Sequence, residues 1–108
     1  MSAIWGIISW GAPLPQTIKE QMQLPFQKKC KIDRYSSVQK DTVFMGCGIQ
    51  YLTDESLSEV LPYTSGSPDF FMTADCLLDN REELLSLLQL PASTPDGTVM
   101  AQAYSRFG

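Results

Sequence analysis

The sequence predicts a layered α+β domain, on the strength of three observations. Ala3 to Trp10, Thr42 to Leu52 and Phe70 to Cys76 carry apolar residues at both odd and even positions, as strands covered on both faces do. Three other stretches change to helical spacing, giving the order β-α-β-β-β-α-α. These helices are too few to cover all the apolar strand surface. Residues 1–108 therefore read as part of one larger layered domain.

Phe70 to Leu90 organises the chain. A strand runs through Phe70, Met72, Ala74 and Cys76 and breaks at Asp79-Asn80. A helix follows, with Leu84, Leu85, Leu87 and Leu88 on its apolar face. Asn80 as N-cap with Glu83 three residues on predicts a capping box, and an acidic first turn suits the helix dipole. The polar corner holds Asp75 and Asp79. These could form a carboxylate pair, or they could close a turn and prepare the helix cap.

Ala3 to Trp10 is rich in β-branched and aromatic residues and predicts a central, buried strand, with Ile4 and Ile8 on one face and Trp5 and Ile7 on the other. Trp5 and Trp10 are both expected to pack, and Gly6 suggests close approach by another backbone. Pro15 is placed to open a helix striped by Ile18, Met22 and Phe26, and Pro25 is expected to end it. Lys31 to Gln39 alternates loosely and, with Lys40-Asp41 as a turn, pairs with Thr42 to Leu52 in a β-hairpin. Gly46 and Gly48 thin the second arm where something packs closely. Thr53 to Asp69 is polar and broken by Pro62, Gly66 and Pro68, with room for one helical turn in Ser56 to Leu61. Thr94 as N-cap and Pro95 at the first helical position predict a last helix striped by Val99, Met100, Ala103, Tyr104 and Phe107, ending at Gly108.

The totals exclude several functions. In 108 residues there are 8 basic and 12 acidic side chains and a net charge of −4, which gives no nucleic-acid surface. Lys28, Lys29 and Lys31 read as a solvated edge. No apolar run is long enough to span a bilayer, and the first residues lack the basic start of a signal peptide. Cys30, Cys47 and Cys76 are odd in number and form no Cys-x-x-Cys pair, which suits a reducing, cytoplasmic compartment. Cys47 and Cys76 read as core fillers. With no histidine, a Ser-His-Asp or Cys-His triad within the chain is excluded.

The segments MSAIWGIISW, MGCGIQYLTDES, TADCLLDNREELL and TPDGTVMAQAYSRFG resemble, in order and spacing, the amino-terminal domain of asparagine-synthetase-like proteins. That domain is a class II glutamine amidotransferase of the N-terminal-nucleophile (Ntn) hydrolase fold. The resemblance implies an αββα sandwich of which residues 1–108 are about the N-terminal half. It also implies a synthetase domain or partner subunit that uses ATP and Mg2+, with no cofactor held by this chain. In the family the residue exposed by loss of the initiator methionine is a cysteine, whose own α-amine, with a pKa near ~8, serves as base. Ser2 stands there in this sequence. The arginine that clamps the glutamine carboxylate falls on Ile49. The Asn-Gly-Glu stretch that builds the oxyanion hole and helps bind glutamine falls on Ala74-Asp75-Cys76.

The resemblance implies a domain degenerate as a glutaminase. It would act as scaffold or docking surface for an ATP-dependent amide-forming partner, as in β-lactam synthetase or lasso-peptide cyclase paralogues, whose substrates are amino acids or peptides. The alternatives are an active glutaminase using Ser2 to supply ammonia for asparagine synthesis, and an unrelated α+β binding module. A homo-oligomer is compatible with each.

Overall fold

The computed structural model describes residues 2–66 and 69–108. Its elements are β1 (Ala3–Ile8), α1 (Gln16–Lys29), β2 (Arg34–Lys40), β3 (Val43–Ile49), a 3-10 turn (Glu55–Ser58), β4 (Tyr63–Gly66), β5 (Asp69–Met72), α2 (Arg81–Leu88) and α3 (Asp96–Phe107). The protein is α+β, with one antiparallel sheet in the order β1-β3-β2 and a second made of β4 and β5. The expected β2–β3 hairpin is present, and Asp41 supplies the left-handed residue of its turn (φ 53). Met1 and the break read at Pro68 lie outside the described residues.

The strand expected at the centre of the sheet lies at its edge. β3 occupies the middle, with β1 on one side and β2 on the other. Apolar residues on both faces report what lies above and below a strand, not which neighbours it hydrogen-bonds. In β1 only one face is covered, because Ala3 and Trp5 are buried whereas Ile4 and Ile8 are exposed. Trp10, expected to pack, is 90% exposed, because the strand ends at Ile8 and the chain then turns through Gly11 at φ +90°.

The buried face of β1 packs under α1. Trp5 stands directly across from Gly46, where a Cβ would land within the indole ring. The ring also stacks on Phe26 of α1, with centroids 5.0 Å apart and planes at 20°. Ala3, Leu14 and Phe44 complete this core, with Ile7, Met22, Ile32 and Tyr35 at its margin. The same packing explains why α1 runs through Pro25 to Lys29 instead of ending there. Pro25 and Gln21 face solvent, so water can bond the carbonyl that loses its helical partner, while Phe26 holds the last turn against Trp5.

The opposite face of β3 faces a second core of Cys47, Ile49 and Leu61, against which Tyr63 and Met72 pack. Phe70 to Cys76, expected to be a long central strand, is a strand only to Met72 and pairs with β4, which the polar look of residues 53–69 concealed. The Phe70 ring meets Tyr104 of α3 edge-on at 5.0 Å. Of the stripe expected on α3, Val99 is fully buried, Met100 and Ala103 are half-buried, and Tyr104 and Phe107 are exposed, while Ala101, outside that stripe, is fully buried. Gly108 ends this helix as expected, at φ +86° with its N–H on the Tyr104 carbonyl.

Neither expected N-cap makes a side-chain cap bond. Asn80 precedes α2 without one, so the capping box does not form. Pro95 is the capping position of α3, one residue later than expected, and Thr94 is buried. Arg81 fixes the helix starts instead. Its guanidinium reaches Asp96 at 2.6 Å and Glu55 at 3.2 Å, and it donates to the Ala92 carbonyl. One side chain thus ties the 3-10 turn to both helices.

Candidate pocket at the meeting of five segments

Between the ends of β1 and β3, the 3-10 turn, the segment after β5 and the start of α3 lies a pocket of about 240 Å3. Backbone pairing brings two of its walls together. Ala3 pairs with Gly48, so Ser2 comes alongside Ile49. The third wall is Ala74, Asp75, Cys76 and Leu77, held against β3 where the Cys47 Sγ lies 4.0 Å from the Ala74 carbonyl oxygen. The Ser2 backbone N–H points to Asp75 Oδ1 at 3.3 Å. All five residues singled out in the sequence (Ser2, Ile49, Ala74, Asp75 and Cys76) therefore line one pocket. Asp79, the other acid of the corner, is exposed and is not among the lining residues.

Two further acids line the pocket, and sequence reading assigned neither to a site. Glu59 is 7% exposed, and its Oε2 accepts the Gly97 N–H at 2.9 Å. Its Oε1 is buried with no hydrogen-bond partner among the described residues. The approach depends on glycine, because a Cβ at residue 97 would lie 2.7 Å from Oε1. Asp96 accepts the Leu78 N–H at 3.1 Å through Oδ2 and binds Arg81 through Oδ1. Glu59 is one of three acids, with Asp54 and Glu55, in the turn-rich stretch 53–62, where an acidic side chain reads as solvated. Only the docking of α3 over that stretch buries Glu59.

Electrostatics follow from this placement. Burial pushes the Glu59 carboxyl above its ordinary 4.5, and Asp96 adds to the rise, while the Gly97 N–H works against it. Burial, with Asp96, Glu59 and Asp75 around it, pushes the Cys76 thiol up to about 11. Burial likewise raises the Cys47 thiol. Both thiols stay protonated at neutral pH and are poor nucleophiles. The rest of the lining is apolar at Ile49, Leu52, Leu61 and Leu77 and neutral but polar at Gln50, Thr53 and Ser56, and no Lys or Arg lines the pocket among the described residues. The pocket is thus a half-apolar slot of negative electrostatic character. Among the described residues no three His, Cys, Asp or Glu side chains are gathered to hold a metal ion, so its acids are spread along the walls.

No family model, curated protein or solved structure matches this chain significantly.

Proposed function

We propose that the chain is an amidotransferase-like domain that has lost glutamine hydrolysis and serves as scaffold or docking domain for an ATP-dependent amide-forming partner. One observation carries this reading. Ser2, Ile49 and Ala74-Asp75-Cys76, the positions the family resemblance marks as nucleophile, carboxylate clamp and oxyanion hole, line a single pocket although they come from three distant segments. An αββα sandwich completed by further strands belongs to the same proposal, as do ATP and Mg2+ on the synthetase partner.

The chemistry of the pocket supports the loss. Ile49 offers no charge to a glutamine carboxylate, and Glu59, Asp75 and Asp96 repel it. The Ala74 methyl cannot donate to an oxyanion, and removing one such donor costs about 10²–10³ in rate. If Met1 is cleaved, the new Ser2 amine lies beside the Asp75 carboxylate, 3.3 Å away. A neighbouring carboxylate favours the ammonium form, which cannot take the serine proton. Cys76, whose side chain also lines the pocket, carries its thiol proton at neutral pH.

The test is ammonia release from glutamine by the full-length protein beside its Ser2→Ala variant. Equal, background release supports the proposal. Release that Ser2→Ala abolishes would overturn it and make Ser2 the nucleophile of a working glutaminase.

A further inference from the structure

β1 leaves one row of backbone groups with no strand to meet. Among the described strands it pairs with β3 alone, in a register running from Ala3↔Gly48 to Ile8↔Val43. Just beyond that ladder the Ser9 N–H donates to the Thr42 carbonyl at 2.8 Å. Bonded pairs alternate along an antiparallel ladder, so Ala3, Trp5 and Ile7 bond to β3. The N–H and C=O groups of Ile4, Gly6 and Ile8 then point away from it, and all three residues are exposed. The open row is bounded at both ends. The Ser2 N–H is held by Asp75, and past Ile8 the chain turns away through Gly11. Charged side chains and proline, the usual guards of an open edge, are absent from Ser2 to Gly11. The far edge is guarded, since β2 begins at Arg34 and ends at Lys40.

We infer that two copies of the chain join edge to edge through β1, antiparallel about a two-fold axis at Gly6. In this register Ile4 stands across from Ile8 of the second copy, and Gly6 across from its own equivalent. The open row is symmetric about Gly6, so this register pairs every open group of Ile4, Gly6 and Ile8. A register shifted by two leaves an isoleucine backbone unpaired in each copy. With no side chain at the axis, the two backbones approach without crowding. Ile4 and Ile8 of both copies then lie on one face of the joined sheet as cross-strand apolar pairs. The charged β2 edges fall at the two ends of that sheet, so the assembly closes at two copies. Such a contact buries on the order of 1,000 Å2, the low end for a specific interface, which suits a reversible dimer. The inference uses β1 alone and not the amidotransferase reading, so glutamine turnover, present or absent, does not bear on it.

The experiment is sedimentation equilibrium of the 108-residue chain over a range of concentrations, with amide hydrogen exchange by NMR at both ends of that range. The expected result is a monomer–dimer equilibrium with a dissociation constant of roughly ten to a few hundred micromolar. The Ile4, Gly6 and Ile8 amides should gain protection as concentration rises, whereas those of Trp5 and Ile7, already bonded to β3, should be protected throughout. Ile8→Pro removes one outward N–H per copy and spares the β1–β3 ladder, which does not use that group. Ile8→Val keeps the N–H on a side chain with as many carbons as proline's. The Ile8→Pro dimer should be at least about tenfold weaker than the Ile8→Val dimer. Equal affinities would make the contact merely apolar and overturn the inference. So would a monomer throughout, or growth beyond the dimer. Wild-type exchange at Ile4, Gly6 and Ile8 that ignores concentration would overturn it too, and that readout stands even if Ile8→Pro does not fold.

Discussion

The Arg81 guanidinium donates to the Asp96 carboxylate at 2.6 Å, and this pair sets where α2 and α3 begin relative to each other. The two side chains are 16% and 14% exposed, so solvent screens the contact only weakly. Asp96 also lines the pocket and holds the Leu78 N–H. The pair therefore links helix packing to pocket shape.

Replacing Arg81 with Met removes its contacts to Asp96, Glu55 and Ala92 at once and leaves Asp96 without its cation. The expected cost is about 1–3 kcal/mol, read as a lower urea midpoint with an unchanged slope. Arg81→Lys should recover little of it, because one ammonium cannot serve partners that the fork meets in different directions. Full recovery by lysine would show that charge alone matters there.

Trp5 and Gly46 form a lock that should fail from either side. Trp5→Ala empties the space between β3 and Phe26 and should cost about 3–5 kcal/mol. Gly46→Ala puts a methyl where the indole lies and should cost about 1–3 kcal/mol by overpacking. Because both changes act on one contact, the double variant should lose less than the sum of the two, as a double-mutant cycle in denaturant would measure. Simple additivity would mean that the two residues do not share their packing energy.

Glu59 should make the protein less stable as pH rises. Its folded carboxyl titrates above its ordinary 4.5, so from that value upward the folded state holds a proton that the unfolded state has released. Stability gained from the neutral form is fully present below 4.5 and is lost as pH climbs through the raised folded value. The groups acting on it are Asp96, which raises the value, and Arg34 and the Gly97 and Val60 backbone N–H groups, which lower it. Thermal unfolding of wild type and Glu59→Gln across pH 4.5 and upward should show the wild type falling relative to the variant. Parallel curves would mean that Glu59 titrates normally.

The bare side of β1 should bring copies of the chain together. Ile4 and Ile8 are 45% and 53% exposed on the edge strand, whose outer backbone is unpaired by any described strand, and Trp10 follows directly. Light scattering of the 108-residue chain should show mass rising with concentration, and Ile4→Lys combined with Ile8→Lys should suppress the rise. A wild-type monomer at all concentrations, unfolding in one sharp transition, would mean that this face needs no cover.

What the sequence determined by itself was local. The two-residue period of Ala3–Ile8 put Trp5 and Ile7 on the face opposite Ile4 and Ile8 without showing which face is covered, the turn residue Asp41 located the hairpin, and Gly108 marked the end of the last helix. These depend on backbone sterics and periodicity, which act over a few residues. The candidate positions Ser2, Ile49 and Ala74 to Cys76 were also legible, but only as separate stretches. The tertiary structure decided the rest, because it depends on what meets what. It set β1 at the sheet edge, carried α1 through Pro25 by stacking Phe26 on Trp5, and ended the Phe70 strand at Met72. It also buried Glu59, an ordinary surface acid to any local reading, because α3 settles over it with a glycine at the point of contact. The energy of a charge depends on the solvent removed from around it, and that removal is a property of the assembled fold.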